Sequence, residues 1–168
     1  MSFYLAYGSN LNHEHMAVCC PNARQIGTGE LAGYRLVFRD YLTIEPQGES
    51  VVPFAVWRLN AESERNLDQY EGFPNLYRKE LFTVKVSGTE LTAMAYIMNE
   101  NCAYRLPSPD YYAAVRKGYQ DNSLQEQPLV DALVVTLRLI SASNNQTHNT
   151  KSQLGLWYSA YNRRYKHV

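Results

Sequence analysis

Tyr4-Leu5-Ala6-Tyr7-Gly8-Ser9-Asn10-Leu11 is an apolar, aromatic run that stops abruptly in Gly-Ser-Asn before a helix-like segment begins. Phe3 to Tyr7 reads as a buried strand, Gly8-Ser9-Asn10 as a tight turn, and Leu11 to Cys20, closed by Pro21, as a helix. A strand that turns sharply into a helix leaves several backbone N–H groups pointing one way, backed by the positive end of the helix dipole. Such a turn can hold a carboxylate or a developing oxyanion. The same residues also fit an ordinary corner in which Asn10 or Asn12 caps the helix.

The next informative stretch runs from Val51 to Gly72. Val51 to Leu59 is apolar on both alternating faces, which predicts a strand buried on both sides, and Pro53 places it near an edge or a bulge. Asn60 sits where an N-cap belongs, Glu62 and Glu64 lie in the first turns, and Gly72 and Pro74 close the segment, so Ala61 to Glu71 reads as a helix. Its apolar stripe includes Leu67 and Tyr70. Glu71 lies four residues after Leu67 and therefore shares the inward face at the last turn. A carboxylate there faces the negative end of the dipole in partly dry surroundings, and both disfavour its charged form. Asp68 falls off that face and reads as solvated.

Elsewhere the pattern is mixed. Gly27 and Gly29 bracket a turn, Tyr34 to Phe38 reads as a strand, and Thr43 to Ser50, with Pro46 and Gly48, reads as loop. Leu81 to Val86 and Leu91 to Met98 form a hairpin around Ser87-Gly88-Thr89-Glu90, with Phe82, Val84 and Val86 on one side. Asn99 to Leu106 is loop. Ser108-Pro109-Asp110 starts a helix whose Tyr111, Val115 and Tyr119 share one face. Pro128 to Ile140 is a second helical pattern, with Val130, Leu133, Val134 and Leu137 aligned. Ser141 to Gln153 is polar and linker-like, and Leu154 to Val168 adds Trp157, Tyr158, Tyr161 and Tyr165 among basic residues. The chain thus divides into residues 1–140 and a C-terminal extension, 141–168.

Composition narrows the function classes. With 168 residues the chain reads as one domain with a sizeable core. Sixteen basic residues balance sixteen acidic ones, so no attraction to nucleic acid or to an acidic membrane is implied. Three cysteines, two adjacent at Cys19-Cys20, give no disulfide framework and no metal spacing, which points to a reducing compartment, by default the cytosol. No segment reaches the length of a membrane span. Fourteen tyrosines against five phenylalanines suggest a pocket wall with many hydroxyls, or simply half-buried strands.

Two features together could do chemistry: an anion-receptive turn at Gly8-Ser9-Asn10 and an awkwardly placed carboxylate at Glu71. A carboxyl with a raised pKa suits taking and returning a proton near neutral pH, as an acyl transfer with an amine leaving group requires. The alternative for Glu71 is an ion pair with Arg78 or Lys79. His13 and His15 point apart on a helix and make a poor metal site. Cys19, Cys20 and Cys102 lack a partner in any nucleophile spacing. Arg163-Arg164-Tyr165-Lys166 is too short a basic run to specify a polyanion.

Tyr7-Gly8-Ser9-Asn10-Leu11, Val56-Trp57, Leu67-Asp68-x-Tyr70-Glu71-Gly72, Tyr77, Tyr96 and Pro107-Ser108-Pro109-x-Tyr111, in that order, resemble the gamma-glutamylcyclotransferase family and its avirulence-induced relatives. The resemblance spans roughly residues 3 to 125. It implies an α+β fold, a small mixed β-barrel with flanking helices, and a cavity at the end of the first strand. It implies that the loop from Tyr7 through Gly8, Ser9 and Asn10 to Leu11 holds a small gamma-glutamyl substrate, with Tyr77, Tyr96 and Tyr111 lining the cavity. Glu71 is then the acid/base that moves a proton from the substrate's alpha-amine to the departing amine as 5-oxoproline forms. The loop amides would stabilise the oxyanion or anchor the alpha-carboxylate. No metal, cofactor, nucleic acid or membrane is implied, and both a monomer and a homodimer fit. A non-catalytic carboxylate-binding or protein-interaction module of the same fold is the other reading. Nothing after Ser141 matches the family.

Overall fold

The computed structural model describes residues 1–143 and 150–165. Five strands and five helices alternate along the chain: β1 (Ser2–Ala6), α1 (His13–Cys19), β2 (Arg24–Arg39), β3 (Tyr41–Leu59), α2 (Ala61–Glu71), β4 (Tyr77–Val86), β5 (Thr89–Met98), α3 (Pro109–Asp121), α4 (Gln127–Ser143) and α5 (Thr150–Tyr165). A single 3-10 turn, Ser9–Leu11, joins β1 to α1. The sheet order is β2-β3-β1-β5-β4. The short, apolar β1 is central, antiparallel to β3 and parallel to β5, where Tyr4 pairs with Met94.

The sheet is mixed and open, which corrects the barrel. Its two edges approach where β2 carries glycine: a Cβ at Gly29 would lie 3.0 Å from the Lys85 carbonyl. A register shift between Gln25 and Gly27 bends β2 over β4, and no ladder joins the two edges.

Two stretches read as turn or loop belong to strands. Gly27 and Gly29 lie inside β2, and Thr43 to Ser50 is the first half of β3, paired with β2 from Arg39↔Tyr41 to Tyr34↔Pro46. A tight reversal at Asp40 and the partner strand hold Pro46 and Gly48 extended, a long-range cause invisible in a local window. Pro53 lies past the end of β1, whose pairing stops at Ala6↔Ala55, so its missing N–H interrupts no ladder with that strand.

The helices follow their capping residues closely. Asn60 Oδ1 accepts from Ser63 N at 2.8 Å, and Gly72 closes α2 with φ +66°, a left-handed conformation that favours glycine. Asn12, and not Asn10, caps α1, accepting from His15 N at 3.0 Å, so that helix starts two residues later than expected. Ser87 and Gly88 both have positive φ and turn β4 into β5 in two residues. In α4 the buried face is Leu129, Ala132, Leu133, Thr136 and Leu137, with Val130 and Val134 half-buried. Thr136 Oγ1 accepts from Phe38 N at 2.9 Å and ties α4 to β2. Residues 141–143 and 150–153 are helical; 144–149, in the middle of the linker-like stretch, and Lys166 in the basic run lie outside the described residues. In α5, Trp157 and Tyr161 pack on Tyr112 of α3, and Trp157 Nε1 donates to Pro107 O at 2.9 Å.

Candidate functional site

The site forms where β1 runs out. The 3-10 turn is closed by Leu11 N to Gly8 O and Asn12 N to Ser9 O, both 3.0 Å, so the amides of Gly8, Ser9 and Asn10 take no part in closing it. α3 braces the turn from behind. Gly118 packs so tightly that a Cβ there would lie 2.6 Å from Leu11 Cβ and 2.7 Å from Asn12 N, and Asn122 Nδ2 donates to Leu11 O at 2.8 Å.

Across from the turn stands Glu71, the last residue of α2. Gly72 turns the chain away immediately after it, leaving the carboxylate facing β1. Asn10, itself only 2% exposed, donates from Nδ2 to Glu71 Oε1 at 2.7 Å and to Tyr4 Oη at 2.8 Å. Asn10 Oδ1 is buried without a partner. Burial raises the Glu71 pKa from 4.5 to about 7; the Asn10 hydrogen bond opposes the rise, and the neighbouring Cys19 thiol adds to it. Neither Arg78 nor Lys79 neutralises it. Arg78 pairs with Glu80 at 2.6 Å, and Lys79 pairs with Glu64 and Asp68, each at 2.7 Å.

Tyrosines build the walls. An inner recess of about 20 Å³ is lined by Tyr4, Tyr7, Gly8–Asn10, Leu42, Glu71, Tyr77, Tyr96 and Tyr111. It opens into an outer chamber of about 180 Å³ whose further walls are Tyr41, Tyr70 and Leu76. Tyr7 Oη donates to Tyr96 O at 2.5 Å, and Tyr96 Oη to Asp68 Oδ1 at 2.7 Å. Leu42 is gripped twice: its N–H donates to Tyr111 Oη at 3.1 Å and its carbonyl accepts from Tyr77 Oη at 3.3 Å. Burial pushes the pKa of Tyr7, Tyr77, Tyr96 and Tyr111 well up, so all four remain neutral hydroxyls. The larger groove, about 580 Å³ between α4 and the β2–β3 hairpin, contains none of these residues.

Of the residues singled out in the sequence, Tyr7, Gly8, Ser9, Asn10, Glu71, Tyr77, Tyr96 and Tyr111 all line this one cavity. Leu11 does not: it is fully buried, and its N–H is spent on Gly8 O. Tyr70 faces the mouth, 49% exposed, away from the core stripe. Asp68 holds Tyr96 and Lys79, a role that depends on the β4–β5 register. Tyr4, Tyr41 and Leu42 were missed. Tyr4 offers a polar-tipped aromatic in an apolar strand as its signal; the other two were hidden by the loop-like look of the segment they begin. Among the described residues no group of three or more His, Cys, Asp or Glu is placed to hold a metal ion, and no helix is long and apolar enough to cross a membrane.

Fold and site together define a small α+β protein whose central strand ends in a turn set against an inward glutamate. The profile of the family described as gamma-glutamyl cyclotransferase, AIG2-like, matches residues 4–113, and the chain belongs to that family. It is similar to the gamma-glutamylcyclotransferase of Mus musculus, 29% identical over 140 residues, which span 74% of this chain and 73% of the mouse protein. The Homo sapiens gamma-glutamylcyclotransferase is likewise 29% identical over 137 residues, 72% of this chain and 71% of its own. A solved structure of a protein named gamma-glutamyl cyclotransferase superposes with a TM-score of 0.69 at 26% identity, covering 75% of this chain and 82% of that one.

Proposed function

We infer that the protein is a gamma-glutamylcyclotransferase. In the reaction, the alpha-nitrogen of a gamma-glutamyl amide attacks its own gamma-carbonyl. The new C–N bond closes 5-oxoproline, and the old C–N bond breaks to release an amine. Glu71, ionised, takes a proton from the substrate's alpha-ammonium; as the tetrahedral intermediate collapses it gives a proton to the departing nitrogen. The ring nitrogen sheds its extra proton, so one ammonium enters and one leaves.

The observation that carries this reading is Glu71 itself. A buried carboxyl without an ion pair, titrating at about 7, is poised to accept and return a proton at neutral pH. Tethering of the nucleophile supplies much of the rate, so no covalent intermediate with the enzyme is required. The amides of Gly8, Ser9 and Asn10 and the neutral tyrosine hydroxyls supply donors for the substrate's carboxylate and for the developing oxyanion. The unpartnered Asn10 Oδ1 is an acceptor for the alpha-amine.

The test is 5-oxoproline release from a panel of gamma-glutamyl amides by the native protein and by Glu71→Gln. Turnover by the native protein and a loss of about a thousandfold or more in a folded Gln variant are expected. Binding of glutamate-like ligands without any 5-oxoproline would replace the enzyme with a binding module.

A further inference from the structure

We propose that the chamber mouth selects gamma-glutamyl amides whose departing amine is apolar, best of all aromatic, and bears no carboxylate beside the nitrogen. This rests on the cyclotransferase reading above and names its substrate class.

Space sets the orientation. At about 20 Å³ the inner recess takes no more than a water-sized group, so the glutamyl unit itself occupies the outer chamber between Ser9 and Glu71. The bond to be broken then lies beside Glu71, and the departing amine extends to the mouth.

Two tyrosines from different elements stand there, Tyr41 at the start of β3 and Tyr70 in α2, 48% and 49% exposed. Each ring is braced from the side: Tyr41 stands edge-on to Tyr111 with centroids 5.1 Å apart, and Tyr70 lies against His15 at 4.7 Å. Rings held in this way offer preformed apolar faces at little entropic cost. Leu76, half-buried, completes the apolar side of the wall.

Charge argues the other half. No lysine or arginine lines the outer chamber. Of the basic groups that come after α2, Lys79 is held by Glu64 and Asp68, and Arg78 by Glu80 and by Met98 O at 3.0 Å. Burial lowers the basicity of His15, behind Tyr70, and keeps its ring neutral. An amino-acid leaving group would place its carboxylate one carbon from the nitrogen, beside Glu71 and with no cation to meet it. Partly desolvated, unpaired and facing a second carboxylate, it is disfavoured.

Three compounds with the same acyl half test this: gamma-glutamyl-2-phenylethylamide, gamma-glutamylphenylalanine, which differs only by the added carboxylate, and gamma-glutamylmethylamide. The expected order in kcat/KM for 5-oxoproline release puts the phenylethylamide about tenfold or more above each of the others. Tyr41→Ala and Tyr70→Ala each shrink the phenylethylamide-to-methylamide ratio by about threefold to tenfold, while Tyr41→Phe and Tyr70→Phe retain it. Equal or faster turnover of gamma-glutamylphenylalanine overturns the proposal and leaves the cyclotransferase reading standing, as does a ratio that neither alanine variant changes. No 5-oxoproline from any of the three removes both.

Discussion

At the scale of single residues the account turns on the environment of one carboxyl. Because folding raises the Glu71 pKa, its charged form is the disfavoured one: the cost is absent below the ordinary value of 4.5 and complete above about 7. Glu71→Gln keeps the shape without the charge. Its melting temperature should therefore match the native protein's in acid and exceed it progressively as pH rises through that window, with a final gap on the order of 2 kcal/mol. Scanning calorimetry at several pH values checks this, and a gap independent of pH contradicts it. Asn10 works in the opposite direction, since its hydrogen bond holds the Glu71 pKa down. Asn10→Ala should move the acid limb of the pH–rate profile to higher pH as well as slow the reaction, a displacement that a purely structural defect would not produce.

At the scale of elements, the site is the meeting of a strand end, a helix end and a helix flank. Gly118 of α3 is where flank and turn touch. Gly118→Ala pushes a methyl group into Leu11 and Asn12, so a loss of about 1–3 kcal/mol in stability is expected, with reduced turnover because the turn must shift. Chemical denaturation alongside the 5-oxoproline assay reads both. Elements whose signals are local were legible in the sequence. α2 keeps the bounds Ala61–Glu71 because Asn60 and Gly72 are strong caps, and α3 starts at Pro109 behind the cap Ser108. Elements fixed by distant partners were not. Thr43 to Ser50 carries Pro46 and Gly48 and reads as loop, yet pairing with β2 makes it strand. The site followed the same division. Glu71 could be read from its place on the helix, whereas Asp68 gains its role only when β5 brings Tyr96 alongside.

At the scale of the whole molecule, the family profile ends at residue 113, and the helices beyond it pack back onto the family region through α3. Tyr112 of α3 is the point of contact, lying against Trp157 and Tyr161 of α5. Arg116 Nε pairs with Glu126 at 2.7 Å, and Arg164 reaches back to Asp110 at 2.9 Å. Since the same helix presents Tyr111 to the chamber and Gly118 to the turn, α5 supports the site at one remove. Trp157→Ala should cost about 3 kcal/mol in global stability, read by chemical denaturation. At temperatures where the variant remains folded, it should leave the pH dependence of turnover in place. The most direct test of the central claim, that Glu71 carries the proton, is the pH dependence of kcat/KM for 5-oxoproline release from one good gamma-glutamyl amide. The account predicts a rate that climbs with pH and levels off around an apparent pKa of about 7, a limb that vanishes with the activity in Glu71→Gln. A flat profile between about pH 5 and 8, or a Gln variant that turns over like the native protein, would contradict it.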